Sequence, residues 1–241
     1  MHCQLCQQEK KLMKAHIMPD SMNHELRKVL GDHPNSPMLT IERDSGKTKR
    51  LPMGAYDKTI VCGACDGTFS PWEQHALEVL FTSHEYADLQ TDHRGAPFCY
   101  TLLNADYAFV KLFVLSMLWK GAVSHLHFCA KVTLSAEKIE QLRHMLVAGD
   151  PGESTQFAVR IAQFYRMDVG ITFEPMCLEI DGIAYVAMHV PGYKVLVQVD
   201  DQPLPADHDL VLSPGASICV RLLNFQNSPE RRAVEKMAGK L

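Results

Sequence analysis

The amino-acid sequence predicts an α+β protein in which a small, cysteine-stapled head precedes a larger body. Three observations predict this class: two Cys-x-x-Cys pairs fall within the first 65 residues, apolar helical patterns follow, and alternating strand patterns fill most of the remainder. The 241 residues, 46% of them hydrophobic, suffice for a sizeable core and exclude a disordered or collagen-like chain. We therefore expect a head over residues 1–84 and an α+β body over residues 85–241.

Charge distinguishes these two parts. Residues 1–70 hold 10 Lys and Arg against 8 Asp and Glu, whereas residues 71–241 hold 14 against 20, which gives the net charge of -4. A basic head on an acidic body predicts that a polyanion, if one binds, contacts the head.

The head is poor in regular patterns. Nine glycines and prolines interrupt residues 1–70 and leave only short apolar runs, so something other than a hydrophobic core must hold this stretch. The run from Ser70 to Glu73 has the pattern of a capping box, with Ser70 as N-cap, Pro71 in the first helical position and Glu73 three residues after the cap. We expect a helix to begin there and to close the head.

The body begins with a connection over residues 85–104. A long apolar helix is predicted over about 106–124, and another after Ser135 that ends before Gly149, so that helices occupy about 106–148. The pattern then changes to that of a mostly antiparallel sheet between about 157 and 223. The predicted strands are 157–164, 171–173, 176–180, 183–190, 194–199 and 218–223.

The sequence also bears on location. Its first residues lack the basic and apolar segments of a secretory signal, and the most apolar window, residues 105–128, includes Asp106, Lys111 and Lys120. The uncharged run over 112–119 is far shorter than the ~20 residues of a membrane span. We expect a buried helix, no membrane anchor, a cytoplasmic protein, and cysteines kept reduced for metal.

Four of the eight cysteines form the strongest pattern in the chain. Cys3-x-x-Cys6 and Cys62-x-x-Cys65 are two knuckles, each of which presents two thiolates to one tetrahedral Zn²⁺. A four-cysteine site without an open position is typical of structural zinc, and it supplies the folding energy that a glycine-rich head lacks. A redox pair is the alternative, but neither pair lies in a βαβ pattern. A hairpin or loop must be inserted between the knuckles.

The residues around the knuckles carry a family resemblance. His16 stands ten residues after Cys6 and opens a His-Ile-Met-Pro run, and Asp66 follows Cys65 directly. This arrangement resembles the HNH endonucleases (ββα-metal or His-Me finger), in the zinc-knuckle variety of the endonuclease VII-like resolvases, over residues 1–80. The resemblance implies a treble-clef ββα-metal fold for the head, and a hydrolase that cuts phosphodiester bonds of DNA.

The resemblance also implies roles for two residues. His16 would be the general base that takes a proton from water, and Asp66 would hold a catalytic Mg²⁺ or Mn²⁺ beside the phosphate. Bacterial proteins with such a head often belong to phage defence or to mobile elements, which is the setting that the resemblance suggests.

Two positions depart from the family pattern. Ala15 stands where many members have an acidic metal ligand before the histidine, and Asp66 stands where asparagine is common. A second ligand must then come from elsewhere in the chain. The nearest candidates are Asp57, Glu73 and His75.

The candidate residues also have purely structural interpretations. His16 is otherwise a residue that packs the hairpin against the zinc turn, and Asp66 is otherwise a cap of the second knuckle. Glu73 is otherwise the capping-box partner of Ser70.

Five basic residues lie within residues 43–58, in the second half of the segment between the knuckles. Cations beside a general base contact successive phosphates without reading base sequence, although a solvated loop also explains such a run. Beside the nuclease-like motif they favour nucleic-acid binding. These residues are Arg43, Lys47, Lys49, Arg50 and Lys58.

Three functions therefore compete. The first is a metal-dependent endonuclease acting on DNA, whose acidic body provides partner binding, self-association or substrate control. The second is a non-catalytic zinc module that binds nucleic acid or a protein. The third is a zinc-stabilised sensor whose body binds a small ligand.

Overall fold

The structure, a computed structural model, describes residues 1–29, 38–41, 48–51, 54–82, 87–165, 171–204 and 210–238. It describes the backbone alone for residues 23, 26–29, 38–41, 48–51, 82, 171 and 237–238. The α+β class is confirmed, because helices and a mostly antiparallel sheet follow an N-terminal group of four cysteines.

The head contains short strands and one long helix. Its four short strands form two antiparallel pairs. Along the chain the elements are β1 (Ala15–His16), α1 (Asp20–Val29), β2 (Met38–Ile41), β3 (Thr48–Leu51), β4 (Tyr56–Asp57) and α2 (Gly63–Leu77), which continues as a π-helical turn over Glu78–Thr82. β1 pairs with β4 and β2 with β3, so the insert between the knuckles contains a helix and a hairpin.

The body is built on a seven-stranded sheet. Its elements are β5 (Ala87–Thr91), β6 (Pro97–Thr101), α3 (Tyr107–Val123), a 3-10 turn (His127–Cys129), α4 (Ala136–Ala148), β7 (Val159–Tyr165), β8 (Ile171–Phe173), β9 (Met176–Ile180), β10 (Ile183–Val190), β11 (Tyr193–Gln198), β12 (Cys219–Asn224) and α5 (Pro229–Ala238). The sheet order is β5-β6-β12-β7-β11-β10-β9, and only β12 and β7 run parallel.

A second, smaller sheet joins the head to the body. β2 of the inserted hairpin pairs in parallel with β8, with Leu39 opposite Ile171, and this gives the three-stranded order β3-β2-β8. The insert is therefore tied by backbone hydrogen bonds to a strand of the body.

Helix α3 forms the centre of the core. Every residue from 110 to 121 is buried, two lysines among them, because α2 and α4 pack against this helix. One cluster of buried side chains runs from Cys3 in the head through Trp119 of α3 to Leu222 in the sheet. The two predicted domains thus share a continuous hydrophobic core. Among the described residues, no helix has both the length and the apolar character that a membrane crossing requires.

Local signals placed α3 and α4 correctly, whereas α5 was not predicted. Asp106 caps α3 by accepting a hydrogen bond from the Phe109 amide at 3.0 Å, and Ser135 caps α4 through the Lys138 amide at 3.2 Å. α4 ends at Gly149, whose φ of +65° is the left-handed conformation that glycine adopts at helix ends.

The capping box predicted at Ser70 is wrong. α2 begins at Gly63 with Cys62 as its N-cap, and it runs through Pro71 without ending. Proline removes one helical hydrogen bond, but buried Phe69 and Trp72 pack this part of α2 into the core and offset that loss. Glu73 therefore lies in the interior of a helix rather than in a cap.

The connection predicted over residues 85–104 is also wrong in part. Residues 87–101 form the β5–β6 hairpin, whose turn is closed by Asp92, which accepts from the amides of Arg94 and Ala96. β5 is exposed along most of its length, and Asp92, Gly95 and Pro97 are typical of a turn or loop, so the sequence was interpreted as a connection rather than as a hairpin.

Candidate metal centre and the adjoining charged cluster

The four knuckle cysteines converge on one point. Their sulfur atoms all lie within 4.8 Å of one another; Cys3, Cys62 and Cys65 are buried, and Cys6 is partly exposed. Four thiolates arranged tetrahedrally about 2.3 Å from a zinc ion are about 3.8 Å apart, so the spacing fits one metal ion. In the part of the chain that the structure describes, this is the one group of His, Cys, Asp and Glu side chains close enough to share an ion.

Backbone hydrogen bonds shape each knuckle and join the two. In the first, the Gln7 amide donates to the Cys3 carbonyl at 2.9 Å, and in the second the Asp66 amide donates to the Cys62 carbonyl at 3.0 Å. Across the knuckles, the Cys62 amide donates to the Cys3 sulfur at 3.4 Å. The sulfur atoms are therefore held together by main-chain geometry as well as by any ion they share.

The electrostatics of this group favour a bound cation. Burial raises the pKa of the Cys65 thiol, and the neighbouring thiols of Cys62, Cys6 and Cys3 raise it further. Thiols in such surroundings do not ionise unaided, whereas a divalent cation stabilises all four thiolates. An all-sulfur donor set suits zinc and is unsuitable for Mg²⁺, which prefers oxygen.

His16 lies on β1, outside the cysteine group. It faces Tyr56 of β4 across the strand pair, and the two rings meet edge to face with centroids 5.9 Å apart. The side chain is partly exposed while its Nε2 atom is buried, and the preceding Ala15 is fully buried. His16 thus packs against Tyr56 within the strand pair, and it also lies near a second group of charged residues.

Asp66 lies in the first turn of α2, directly after the second knuckle. The pKa of its carboxyl group is raised, chiefly by burial and further by the charge of Glu73. The charges of Lys120 and His16 lower it in part. Lys120, Glu73 and His16 are thus close enough to Asp66 for their charges to change the pKa of its carboxyl group. The N-terminus of α2 has no side-chain cap, and no described group donates a hydrogen bond to the Asp66 carboxylate. Asp66 is therefore not a cap of the knuckle.

Lys120 brings a residue of the body into this group. Its side chain is 1% exposed, and Nζ donates to Glu73 Oε1 at 3.0 Å while lying 5.1 Å from the centre of the Phe69 ring. Glu73 follows Asp66 by two helical turns, so both carboxylates leave α2 on the face that packs against α3. We refer to His16, Asp66, Glu73 and Lys120 as the charged cluster.

Sequence reasoning missed Lys120 because it lies in an apolar run. The available signal was the charge itself, since a lysine within a buried helix requires a partner. The identity of that partner depends on the packing of α2 against α3, which no local pattern specifies.

The other candidates for a second cation ligand have structural roles. Asp57 is 4% exposed and accepts hydrogen bonds from the Thr59 amide at 2.8 Å, the Thr59 hydroxyl at 2.6 Å and the Ser124 hydroxyl at 2.7 Å. Burial raises the pKa of Asp57, but these hydrogen bonds outweigh it and lower the pKa below its usual value. His75 accepts from the Asp106 amide at 2.9 Å through Nε2. Both residues fasten the head to the ends of α3.

Glu73 is paired with Lys120, and His16, Asp66 and Glu73 do not meet at the distance of a shared ion. The charged cluster has two carboxylates among the described residues. Glu73 accepts a hydrogen bond from Lys120, and Asp66 accepts none from a described residue.

The structure describes part of the predicted basic surface. Arg43 and Lys47 lie outside the described residues, and Lys49 and Arg50 belong to β3, for which the backbone alone is described. Lys58 is exposed, with Nζ 5.9 Å from the centre of the Tyr56 ring.

A further cation, Lys14, lies on the same ring with Nζ 4.0 Å from its centre. Tyr56 is thus contacted by two lysines and by His16. Lys14 was not singled out from the sequence, although its place two residues before His16 puts it on the same side of an extended strand.

The chain matches no protein-family model, no curated protein and no solved structure. A functional assignment therefore depends on the chemistry of the residues described above.

Proposed function

We propose that this protein is a metal-dependent endonuclease of the HNH type that hydrolyses phosphodiester bonds of DNA. The observation that carries the proposal is the placement of His16 on β1 near Asp66 on α2, in a charged cluster that excludes the four cysteines. In this proposal the cysteines hold a structural zinc ion, because four sulfur ligands leave no open position for chemistry.

His16 is the general base in the proposed reaction. Its neutral imidazole accepts a proton from a water molecule, and the hydroxide attacks the phosphorus atom as the oxygen on the opposite side leaves. The edge-to-face contact with Tyr56 limits rotation of the imidazole ring, so the base would be held in one orientation.

Asp66 supplies a carboxylate suited to a hard cation. Mg²⁺ or Mn²⁺ held there would neutralise the phosphate charge and stabilise the leaving oxygen. One protein carboxylate suffices for such a role when water and substrate phosphate complete the coordination, as is usual for Mg²⁺. Lys14 and Lys58, both near the Tyr56 ring, would contact the phosphates that flank the cleaved bond.

The test is cleavage of supercoiled plasmid DNA by purified protein with Mg²⁺ or Mn²⁺. We expect His16→Ala to lower the rate at least 100-fold, since general-base catalysis contributes about 10²–10⁴, and to leave zinc content unchanged. His93→Ala, which alters an exposed turn of the body, is the matched control. Equal rates for His16→Ala and wild type would remove His16 from the mechanism, and no cleavage with any divalent cation would overturn the enzymatic proposal.

A second function is favoured by one specific observation, the pairing of Glu73 with buried Lys120. Together with apolar Ala15, this leaves the charged cluster with a single candidate ligand among the described residues. A non-catalytic zinc module would show DNA binding that weakens with salt and with Lys14→Ala or Lys58→Ala, while no cation supports cleavage.

A further inference from the structure

The two knuckles of the metal centre are supported unequally. The second knuckle, residues 62–65, lies at the start of α2, a helix of 15 residues that packs against α3. The first knuckle, residues 3–6, lies in a loop whose backbone hydrogen bonds go to residues of the head, among them that of the Gln4 amide to the Ile60 carbonyl at 2.8 Å. A loop of this kind keeps its shape only as long as each of its few contacts is kept.

One side chain of the body reaches the first knuckle. Arg143 of α4 donates from Nη1 to the carbonyl oxygen of Leu5 at 2.9 Å, across 138 positions of the chain. Leu5 directly precedes Cys6, so this bond holds the planar peptide group that joins these two residues. Among the residues that the structure describes, it is the one hydrogen bond from the body to residues 3–6.

The guanidinium group of Arg143 is oriented by a second contact. Its Nε and Nη2 atoms donate to the two carboxylate oxygens of Glu140 at 2.8 and 2.6 Å, and Nη1 is the atom that contacts the knuckle. These bonds raise the pKa of the Arg143 guanidinium, and its side chain is 13% exposed. Because one edge of the planar group is fixed, little freedom is lost when the remaining donors bind Leu5. Fully buried Leu142 anchors this part of α4 in the core.

The first knuckle also contains the most accessible of the four cysteines. Cys6 is partly exposed, whereas Cys3, Cys62 and Cys65 are buried and at most 8% exposed. A metal ion with four protein ligands has no open position, so its exchange begins when one ligand leaves. A chelator or an incoming thiol therefore meets the site on the side of Cys6, and whatever holds Cys6 in place controls the exchange.

We propose that Arg143 is a positioning residue for the metal centre and that the metal ion is exchanged at the first knuckle. By holding the Leu5 carbonyl, Arg143 keeps Cys6 on the ion and fastens the loop to α4. Loss of a hydrogen bond that supports a metal-binding residue typically lowers metal affinity by about 10- to 100-fold. The inference rests on the zinc ion of the proposed function and is independent of the nuclease chemistry.

The experiment is transfer of zinc from the full chain to the coloured chelator pyridylazoresorcinol, followed by absorbance. We expect Arg143→Gln to speed zinc transfer and to weaken zinc affinity at least tenfold, because the Leu5 carbonyl loses its charged donor. Arg143→Lys keeps a cationic donor but cannot hold Glu140 and Leu5 together, so it should restore part of the loss. Arg94→Gln, on an exposed turn of the body, makes the same chemical change away from the metal and should behave as wild type.

A destabilised core variant separates positioning from a general loss of stability. Phe113→Ala removes a large buried side chain of α3 and leaves Arg143 and both knuckles unchanged. We expect it to lower the Tm more than Arg143→Gln does, yet to release zinc at nearly the wild-type rate. Zinc release that follows the Tm across these variants, or a wild-type rate in Arg143→Gln, would overturn the proposal. Wild-type protein without zinc would overturn it together with the structural ion, whereas zinc-loaded protein that cuts no DNA would count against the nuclease alone.

Alkylation identifies the ligand that leaves first. Zinc-loaded wild type and Arg143→Gln are treated with iodoacetamide for increasing times, and the modified cysteines are identified by mass spectrometry of their peptides. Among the four ligands, we expect Cys6 to be modified first, and faster in Arg143→Gln than in wild type. First modification at Cys62 or Cys65 would contradict exchange at the first knuckle.

Discussion

The head and the body bury their side chains by different means. The body has a seven-stranded sheet and the fully buried helix α3, so its order comes from many apolar contacts. The head has strands of two to four residues, and its ends meet where four sulfur atoms cluster. The two nevertheless share one core, in which Phe69 and Trp72 of α2 lie beside α3. The difference teaches that a metal ion held by these four cysteines would organise the head as the sheet organises the body, and that removing such an ion should also destabilise the shared core.

The largest expected effect is loss of the metal. Cys62→Ser, or removal of zinc with a strong chelator, should lower the free energy of unfolding by more than about 5 kcal/mol and the Tm by more than 10 °C, because metal binding is part of folding in such sites. Trp72 and Trp119 are almost completely buried, so their fluorescence should shift to longer wavelength as the head opens.

The control for this prediction is Cys219→Ser in β12, a cysteine outside the metal group. It should keep one zinc per chain and wild-type fluorescence. An equal loss of zinc from both variants, or a Cys62→Ser variant with unchanged stability, would contradict the role assigned to the ion.

A large-to-small substitution in the core of the body should lower stability, but less than loss of the metal does. Phe113 in α3 is completely buried, and Phe113→Ala should cost about 4 kcal/mol, measured by denaturant unfolding, through lost burial and the cavity that remains. Zinc content should stay at one per chain. Coupled loss of zinc would show that the core of the body, and not the knuckles alone, holds the four cysteines in place.

The Lys120–Glu73 pair tests how strongly the two regions are joined. Glu73→Ala leaves an ammonium group that is 1% exposed without its partner and should cost about 3 kcal/mol. Lys120→Met leaves a carboxylate that is 25% exposed and that water can reach, so it should cost only about 1 kcal/mol. Thermal melts of the two single variants and the double variant measure the coupling energy of the pair. Equal losses of stability in the two single variants would contradict the predicted difference between them.

The smallest effect concerns pH. The folded-state pKa of Asp57 is below its unfolded value, so its contribution to stability is fully present above about pH 4 and is lost as the pH falls through the lowered pKa. Asp57→Asn should therefore flatten the decline of Tm between about pH 4 and pH 2. Asp88→Asn, at an exposed site, should leave the wild-type slope, and an unchanged slope in Asp57→Asn would rule out this source of acid sensitivity.

The sequence predicted those features whose signals are local. Knuckle spacing indicated the cysteine group, and Ser135 and Gly149 marked the two ends of α4. Alternation of apolar residues located β7 to β12 to within two residues at each end. The α2 start was mistaken because Pro71 is a strong local signal for a helix N-terminus, whereas the packing of Phe69 and Trp72 in the core extends the helix on both sides of it.

The candidate site could be predicted only in part, because some of its members are brought together by tertiary packing. His16 and Asp66 were singled out through the resemblance to HNH endonucleases, and in the structure His16 lies close enough to Asp66 for its charge to lower the pKa of that carboxyl group. Lys120 entered that cluster from a helix more than 40 residues further along the chain, and the hydrogen bonds of Asp57 and His75 to residues at the two ends of α3 depend on the same packing. Charge partners of this kind are set by tertiary contacts, which sequence spacing does not encode.

The parallel pairing of β2 with β8 has a consequence for biosynthesis. Leu39 leaves the ribosome about 130 residues before its partner Ile171. The edge of β2 that pairs with β8 therefore has no partner strand until about 130 further residues have been synthesised. The first knuckle is synthesised even earlier, long before Cys62 and Cys65 can complete the metal group. The head, although it comes first in the chain, is therefore the region whose assembly finishes late, and zinc uptake by nascent chains should lag behind synthesis of their N-termini.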